Sequence, residues 1–496
     1  MIRNLLFLFT LVIPGLSFAE PVSLAEVIRE SISKSPDIPL NQLNTDLVKT
    51  DQQRIEGMLD PNVSMRLGYS DEKVSTTNPF AADQTQFGQL SGTVIKPLQD
   101  GSSLTGSLNY NRTKLGYPST GLATLQSSIN PIYQNQIDLT YRYPLLRGHG
   151  NPAYHEQMAA SKQDEQAAIW RVEMLKEQLA SQATALYFQL TADNLALNLA
   201  EDAVNRSKKL LRYQKMREQF GLIERADRLQ AEALLATRVM ELTIADATSL
   251  RGKTSLNRIM LRSPDAPLHP DLNGGIFSSN MVNELSLDEL LSEAERNRPA
   301  FRVIEASLDA SSARLAAARN QHETQIDLIG QVGSRALDGS AGKALGQGFT
   351  LNDRFISLSV ELSDTITGNA TKASIRQAEL GRQKAQLERI QMRESVKSEL
   401  ANALTTLSSM QKTVVSAHQR AKAEKNKFNA ELKRYREGRS DTATIIQFEG
   451  ELSAAELQAA MQEVTLRLAE HQLALARGTL LPAVLRSQTD TGEQRQ

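Results

Sequence analysis

Several short stretches of this chain change between polar and apolar character at every residue or nearly so. Val63-Ser64-Met65-Arg66-Leu67-Gly68-Tyr69, Gln136 to Tyr143, Ile326 to Val332 and Phe355 to Leu362 read as strands with one apolar and one polar face. Two further runs, Gly92-Thr93-Val94-Ile95-Lys96 and Leu104 to Tyr110, flank a turn at Gln99-Asp100-Gly101-Ser102. They read as a hairpin over about 87–112. The residues leave open whether it extends the sheet or projects from it.

Elsewhere the period is that of a helix. Pro144, Gly148, Gly150 and Pro152 follow the second strand closely, and then no Gly or Pro occurs until Gly221. A helix over 153–220 would reach about 100 Å at its usual rise, far beyond the average of about three turns. A second long helix is expected over 369–437, ended by Gly438, and returning helices over 224–261 and 441–478. Leu452, Ala455, Ala459, Gln462, Leu466, Ala469, Leu473 and Ala476 form a heptad-type seam, as do Val172, Leu175, Leu179, Ala183, Leu186 and Leu190.

The chain is duplicated. Ser23-Leu24-Ala25-Glu26 and Ser286-Leu287-Asp288-Glu289 are both S-x-x-E helix starts, each followed at the same distance by a proline, Pro36 and Pro299. The predicted organisation is a first repeat over 20–261, with strands about 62–70 and 136–146, and a second over 285–480, with strands about 325–333 and 354–363. A Pro-, Gly- and Ser-rich connector over 262–284 separates them, and a polar tail over 481–496 is expected to be disordered. The first repeat carries the extra hairpin between its two strands.

Composition narrows the function. Residues 1–19 read as a secretory signal, with Arg3, the apolar run Leu5 to Ile13 and a cleavage site after Ala19. Lysine and arginine (56) nearly balance aspartate and glutamate (57), which argues against nucleic acid as a partner. With no cysteine, six scattered histidines and no nucleophile, phosphate or dinucleotide motif, neither an enzyme, a metal site nor a cofactor is expected. Beyond the signal, no apolar run is long enough for a transmembrane helix, so entry into a membrane would require a closed β-barrel. Two strands in each repeat are too few, since the smallest membrane barrels have about eight. Several chains must then share one barrel, and three copies of four strands would make twelve. Pro144, Gly148 and Gly368 are expected at the joints where strand turns into helix.

The order and spacing of these features resemble the outer-membrane efflux channel family typified by TolC. They include the S-L-x-E helix, the strand into Pro144-Leu145-Leu146-Arg147-Gly148, the long helices and the duplication. The resemblance covers essentially the whole mature chain. It implies a mainly α fold with long helical hairpins forming a periplasmic tunnel, and a homotrimer whose shared outer-membrane barrel has twelve strands, four or more strands of each chain contributing. It also implies a large periplasmic part in a Gram-negative bacterium, and passive exit of solutes or proteins. Its partners would be a periplasmic adaptor, an inner-membrane pump and outer-membrane lipid. Phe220, Gly221, Leu222 and Ile223 match the family's adaptor-docking tip, with Gly438 at the equivalent turn. Asp227 and Tyr435 match members of a periplasmic entrance gate, with Arg439 one place from the position of the family's arginine. Thr444 and Gln447 stand where the family often carries an acidic ring, leaving Glu449 or Asp441 as substitutes. The competing reading is a periplasmic coiled-coil adaptor or scaffold without a pore.

Overall fold

The two S-x-x-E segments open helices. Ser23 Oγ accepts the backbone N–H of Glu26 (3.3 Å) at the start of α1 (Leu24–Lys34). Ser286 and Glu289 complete a reciprocal capping box on α5 (Leu287–Asn297). Beyond Pro36 and at Pro299 the chain resumes as α2 (Asp37–Glu56) and α6 (Pro299–Asn320). The long helices are α3 (Pro152–Gln219) and α8 (Asn369–Arg436), both 68 residues, and they return as α4 (Arg225–Ile259) and α9 (Thr442–Ala476). Among the described residues six strands complete the frame: β1 (Asn62–Lys73), β2 (Gln84–Pro97), β3 (Ser103–Gly116), β4 (Ile132–Pro144), β5 (Gln325–Asp338) and β6 (Arg354–Ser363). The structure, a computed structural model, describes residues 22–78, 81–117, 129–271, 286–350 and 352–484. The expected signal, most of the connector and the end of the tail lie outside these residues.

The compact units do not follow the sequence repeats. One comprises Met1–Asn41, Arg171–Phe301 and Gln391–Gln496, the other Gln42–Trp170 and Arg302–Ile390, so each unit draws on both repeats. Similar halves in sequence need not fold apart when the strands of both enter one sheet and the helices of both enter one bundle.

The second unit holds that sheet, antiparallel throughout in the order β1-β2-β3-β4-β5-β6. The hairpin expected over 87–112 is therefore part of the sheet as β2 and β3, and is longer than expected. Each edge strand, β1 and β6, is bonded on one side only among the described residues. Alternation gives the sheet two unlike faces. Val63, Met65, Leu67 and Tyr69 on β1, and Ile356, Leu358, Val360 and Leu362 on β6, lie on the apolar face and are solvent-exposed, Leu67 to 83% and Ile356 to 78%. The opposite face is polar. There Asp138 accepts from Ser107 Oγ (2.7 Å), Gln136 Nε2 (3.1 Å) and Gln331 Nε2 (3.1 Å). Arg142 bridges Asp327 (2.7 Å) and Glu361 (2.9 Å) on the same face. A short helix, α7 (Ala341–Phe349), lies between β5 and β6 where none was expected, because three glycines in nine residues mask it. It sits against β4, with Asn135 Nδ2 donating to the Leu345 carbonyl (3.3 Å).

The first unit is a helical bundle. Leu24, Val27 and Ile28 of α1 are fully buried with Tyr187, Leu190, Leu256, Met260 and Leu268. Each such aliphatic side chain contributes about 1.5–3 kcal/mol on leaving water. The Tyr187 hydroxyl lies 2.7 Å from the Asp271 carbonyl and 3.1 Å from that of Val22, anchoring the described start of the connector. In the second repeat, Leu290, Leu291 and Ala294 of α5 pack equivalently on Val396, Leu400 and Leu473. The heptad seam of α9 is buried at Leu452, Ala455, Ala459, Ala469, Leu473 and Ala476. Leu480 and Val484 also enter the core. Val484 lies in the segment read as tail, and the residues after it are outside those described.

Candidate functional sites at the helical turns and the strand-to-helix joints

Gly221 and Gly438 end the two long helices with φ of +69° and +74°. At the first turn, Leu222 N–H reaches the Arg217 carbonyl and Gly221 N–H that of Glu218, both at 2.9 Å. At the second, Arg439 N–H reaches Arg434 (2.9 Å) and Gly438 N–H reaches Tyr435 (3.1 Å). These are paired Schellman closures, in which a left-handed residue satisfies carbonyls that the helix leaves open. The side chains on this shared frame differ. Phe220 and Leu222 are exposed to 72% and 63%, with Ile223 half-buried beside them. The second turn is polar, with Arg439 paired to Glu437. Beyond it, Asp441 caps α9 by accepting the Thr444 N–H (2.8 Å) and hydroxyl (2.9 Å), and these bonds hold its carboxyl below the usual carboxylate range.

Within one chain, the structure does not bring Asp227, Tyr435 and Arg439 together. Tyr435 is buried, its hydroxyl bonded to Gln214 Nε2 and 3.1 Å from Thr442 Oγ1. Gln214 also donates to Thr442 (2.9 Å), which closes a buried polar triangle among α3, α8 and α9. Tyr213 packs edge-on against the Tyr435 ring, and the Arg217 guanidinium lies 5.4 Å from its centre. Asp227 is half-buried in the first turn of α4, its N–H donating to the Glu224 carbonyl (3.2 Å).

Glu449 does not stand free to form an acidic ring. It is 2% exposed and is held by Arg206 of α3 (3.2 Å) and Arg238 of α4 (3.1 Å), with Ser453 donating at 2.8 Å. Arg206 continues to Glu456 (3.4 Å) and Arg238 to Glu241 (2.7 Å). A carboxylate taken this far from water persists only where such partners compensate it. No local sequence pattern signals this network, because both arginines lie more than 200 positions from Glu449. Gln447 is bonded to Glu451 (2.8 Å). Among the described residues, no group of three or more His, Cys, Asp or Glu could hold a metal ion.

At the first joint, Leu145 N–H still bonds to the Ile326 carbonyl (2.7 Å), so the sheet continues one residue past Pro144. Gly148 (φ +88°) and Gly150 (φ +70°) then reverse the backbone, and Asn151 Oδ1 accepts the Tyr154 N–H (3.3 Å) to start α3. The β2–β3 turn is fastened to this joint. Gly150 N–H donates to Asp100 (3.1 Å), Asn151 Nδ2 donates to Leu98 (3.3 Å), and the His155 ring lies 3.2 Å from the Gln99 carbonyl. Gly101 faces the Gly148 carbonyl so closely that a Cβ would overlap it. The second joint has Asp364 in place of the proline, bound to Thr324 (2.7 Å) and to the Thr365 N–H (2.7 Å), with Gly368 at φ +57°.

No family model matches the chain, and no curated protein matches it by sequence. Solved structures do match its fold. The outer-membrane channel OprN superposes with a TM-score of 0.67 at 19% identity, over 92% of this chain and 90% of OprN. CusC, described for its transmembrane channel formation, gives 0.67 at 14% identity, over 92% of each chain. The outer membrane protein VceC of Vibrio cholerae gives 0.62 at 15% identity, over 92% of this chain and 96% of VceC. The fold of this chain, long helical hairpins joined to an antiparallel sheet, is therefore the fold of these outer-membrane channels.

Proposed function

We propose that this chain is the outer-membrane exit duct of a tripartite export system. Three copies would share one β-barrel and pass cargo outward from an inner-membrane pump and a periplasmic adaptor. The observation that carries the reading is the sheet. One face is apolar and exposed, the other is polar, both edges are unpaired among the described residues, and the strands run into 68-residue helices. An apolar sheet face open to water is costly, and unpaired edges in lipid more so; closure among copies within a bilayer removes both costs. The fold shared with outer-membrane channels supports the same reading. A pore-less adaptor has no use for a two-faced sheet of this width. Among the described residues, no helix is long and apolar enough to cross a membrane, so the sheet is the part offered to lipid.

In this reading Phe220, Leu222 and Ile223, around Gly221, form an apolar foot for the adaptor, and Gly438 shapes a polar second foot. Asp227 and Arg439, both outside the buried Tyr435 triangle, would meet neighbouring copies to narrow the entrance. The experiment is conductance of the purified chain in planar bilayers, with fractionation of the cells that make it. Steady channel events and retention in the outer-membrane fraction are expected. A chain that fractionates as soluble and never conducts would reverse the reading. Asp227→Ala is expected to raise single-channel conductance; an unchanged value removes the gate and leaves the duct.

A further inference from the structure

We infer that the β2–β3 hairpin belongs to the barrel wall, so that each copy supplies six strands and three copies close a barrel of eighteen rather than twelve. The copy number rests on the reading above; the six strands per copy rest on the sheet itself. The hairpin strands are paired to their outer neighbours along most of their length, β2 with β1 from Asn62↔Ile95 to Lys73↔Gln84, and β3 with β4 from Ser103↔Arg142 to Thr113↔Ile132. They are also in phase with the rest. Following the pairing across the sheet gives one continuous row of Val63, Val94, Gly106, Leu139, Val332 and Ile356, apolar or glycine at every step. The adjacent row is polar across the hairpin, at Ser64, Thr93, Ser107 and Asp138, and ends in Gly333 and Phe355. A one-residue slip at any pairing would reverse the faces, so this agreement marks the hairpin as wall. A hairpin projecting into water would need no such match. Its lower turn, fastened to the Gly148–Asn151 joint, ends level with the strands that enter the helices.

The occupant of the open edges follows. Six alternating antiparallel strands leave β6 running opposite to β1, so β6 of one copy can pair with β1 of the next in the sense used throughout the sheet. The edges match by face as well, because each carries its exposed apolar residues on the same side. An even strand number is preserved. Barrel diameter grows roughly in proportion to strand number, so the wall would be about 1.5 times as wide as a twelve-stranded one.

The chain has no cysteine, so single substitutions can be read without interference. In proteoliposomes of the full chain, Ser91→Cys and Asn109→Cys are expected to react with a membrane-impermeant maleimide. Leu90→Cys and Leu108→Cys, carrying a fluorophore, are expected to be quenched by brominated lipid. Aqueous labelling of all four with no lipid quenching would place the hairpin outside the wall. Seen in a preparation that still conducts, that result overturns the strand number alone; loss of conductance and insertion would overturn the duct reading itself. Ser64→Cys combined in turn with Ser357→Cys, Ser359→Cys or Glu361→Cys tests the edges. A covalent ladder ending at three copies is expected in at least one register. A ladder ending at two, or only an internally bridged monomer, would overturn a barrel of eighteen.

Discussion

At Gly221 the chain reverses with Phe220 and Leu222 in the open; at Gly438, on the same Schellman backbone, it reverses with an ion pair between Glu437 and Arg439. The joints differ in the same manner, Pro144 in the first repeat standing where Asp364 binds Thr324 in the second. The strands differ by a whole hairpin, four against two. Duplication has kept the backbone closures of the helices and left side chains and strand number free to diverge. What distinguishes the repeats in function therefore lies in what the frame carries.

The costliest substitution falls where the repeats are locked together. Glu449→Ala leaves Arg206 and Arg238 facing each other without their shared carboxylate, and should cost about 3 kcal/mol in chemical unfolding of the helical unit. A loss under 1 kcal/mol would mean that the network is solvated and not part of the lock.

Next comes a direct contrast between positions three residues before each turn glycine. Tyr435→Phe removes the buried hydroxyl that Gln214 and Thr442 share, leaving only their mutual bond, and should cost about 1 kcal/mol, whereas Glu218→Ala removes an outer ion pair with Arg228 worth about 0–1 kcal/mol. Equal costs would break the distinction between the turns. The frame itself should behave alike in both repeats. Gly221→Ala and Gly438→Ala meet no atom within 4 Å, so each pays only for the left-handed backbone, about 1 kcal/mol, in parallel melting curves.

A smaller effect depends on pH. Burial drives the Glu177 carboxyl up to about 7, with Arg298 opposing and Glu399 adding to the rise. A raised folded value favours the protonated folded state, so this contribution is complete below the ordinary value of 4.5 and lost as pH rises through about 7. Burial lowers the buried His471, with its backbone bond to Arg467 opposing, so its contribution has the other sign and fades as pH falls below 6.5. Glu177→Gln should therefore melt above the native chain near about pH 8, and the gap should close by about pH 5. A gap independent of pH would place Glu177 in water.

Much of this was legible because it depends on local chemistry. Glycine at a helix end, S-x-x-E at a helix start and period-two alternation each have a short-range cause, and Gly221, Ser286 and Val63 to Tyr69 show it. What escaped depends on distance or on dilution. Glu449 finds its arginines through packing alone, α7 is hidden by its glycines, and the phase of β2 and β3 shows only once the register is known. Tyr435 carried the right residue type for a polar contact, but Gln214, which takes that contact, lies over 200 positions away.

In the duct proposed above, one chain cannot seal its own sheet and must share a barrel with identical copies. The mass of the purified chain in detergent, measured by native mass spectrometry or light scattering with the detergent contribution removed, tests this most directly. A particle of three chains that inserts into liposomes is expected. A single-chain particle, soluble without detergent and never entering lipid, would contradict it.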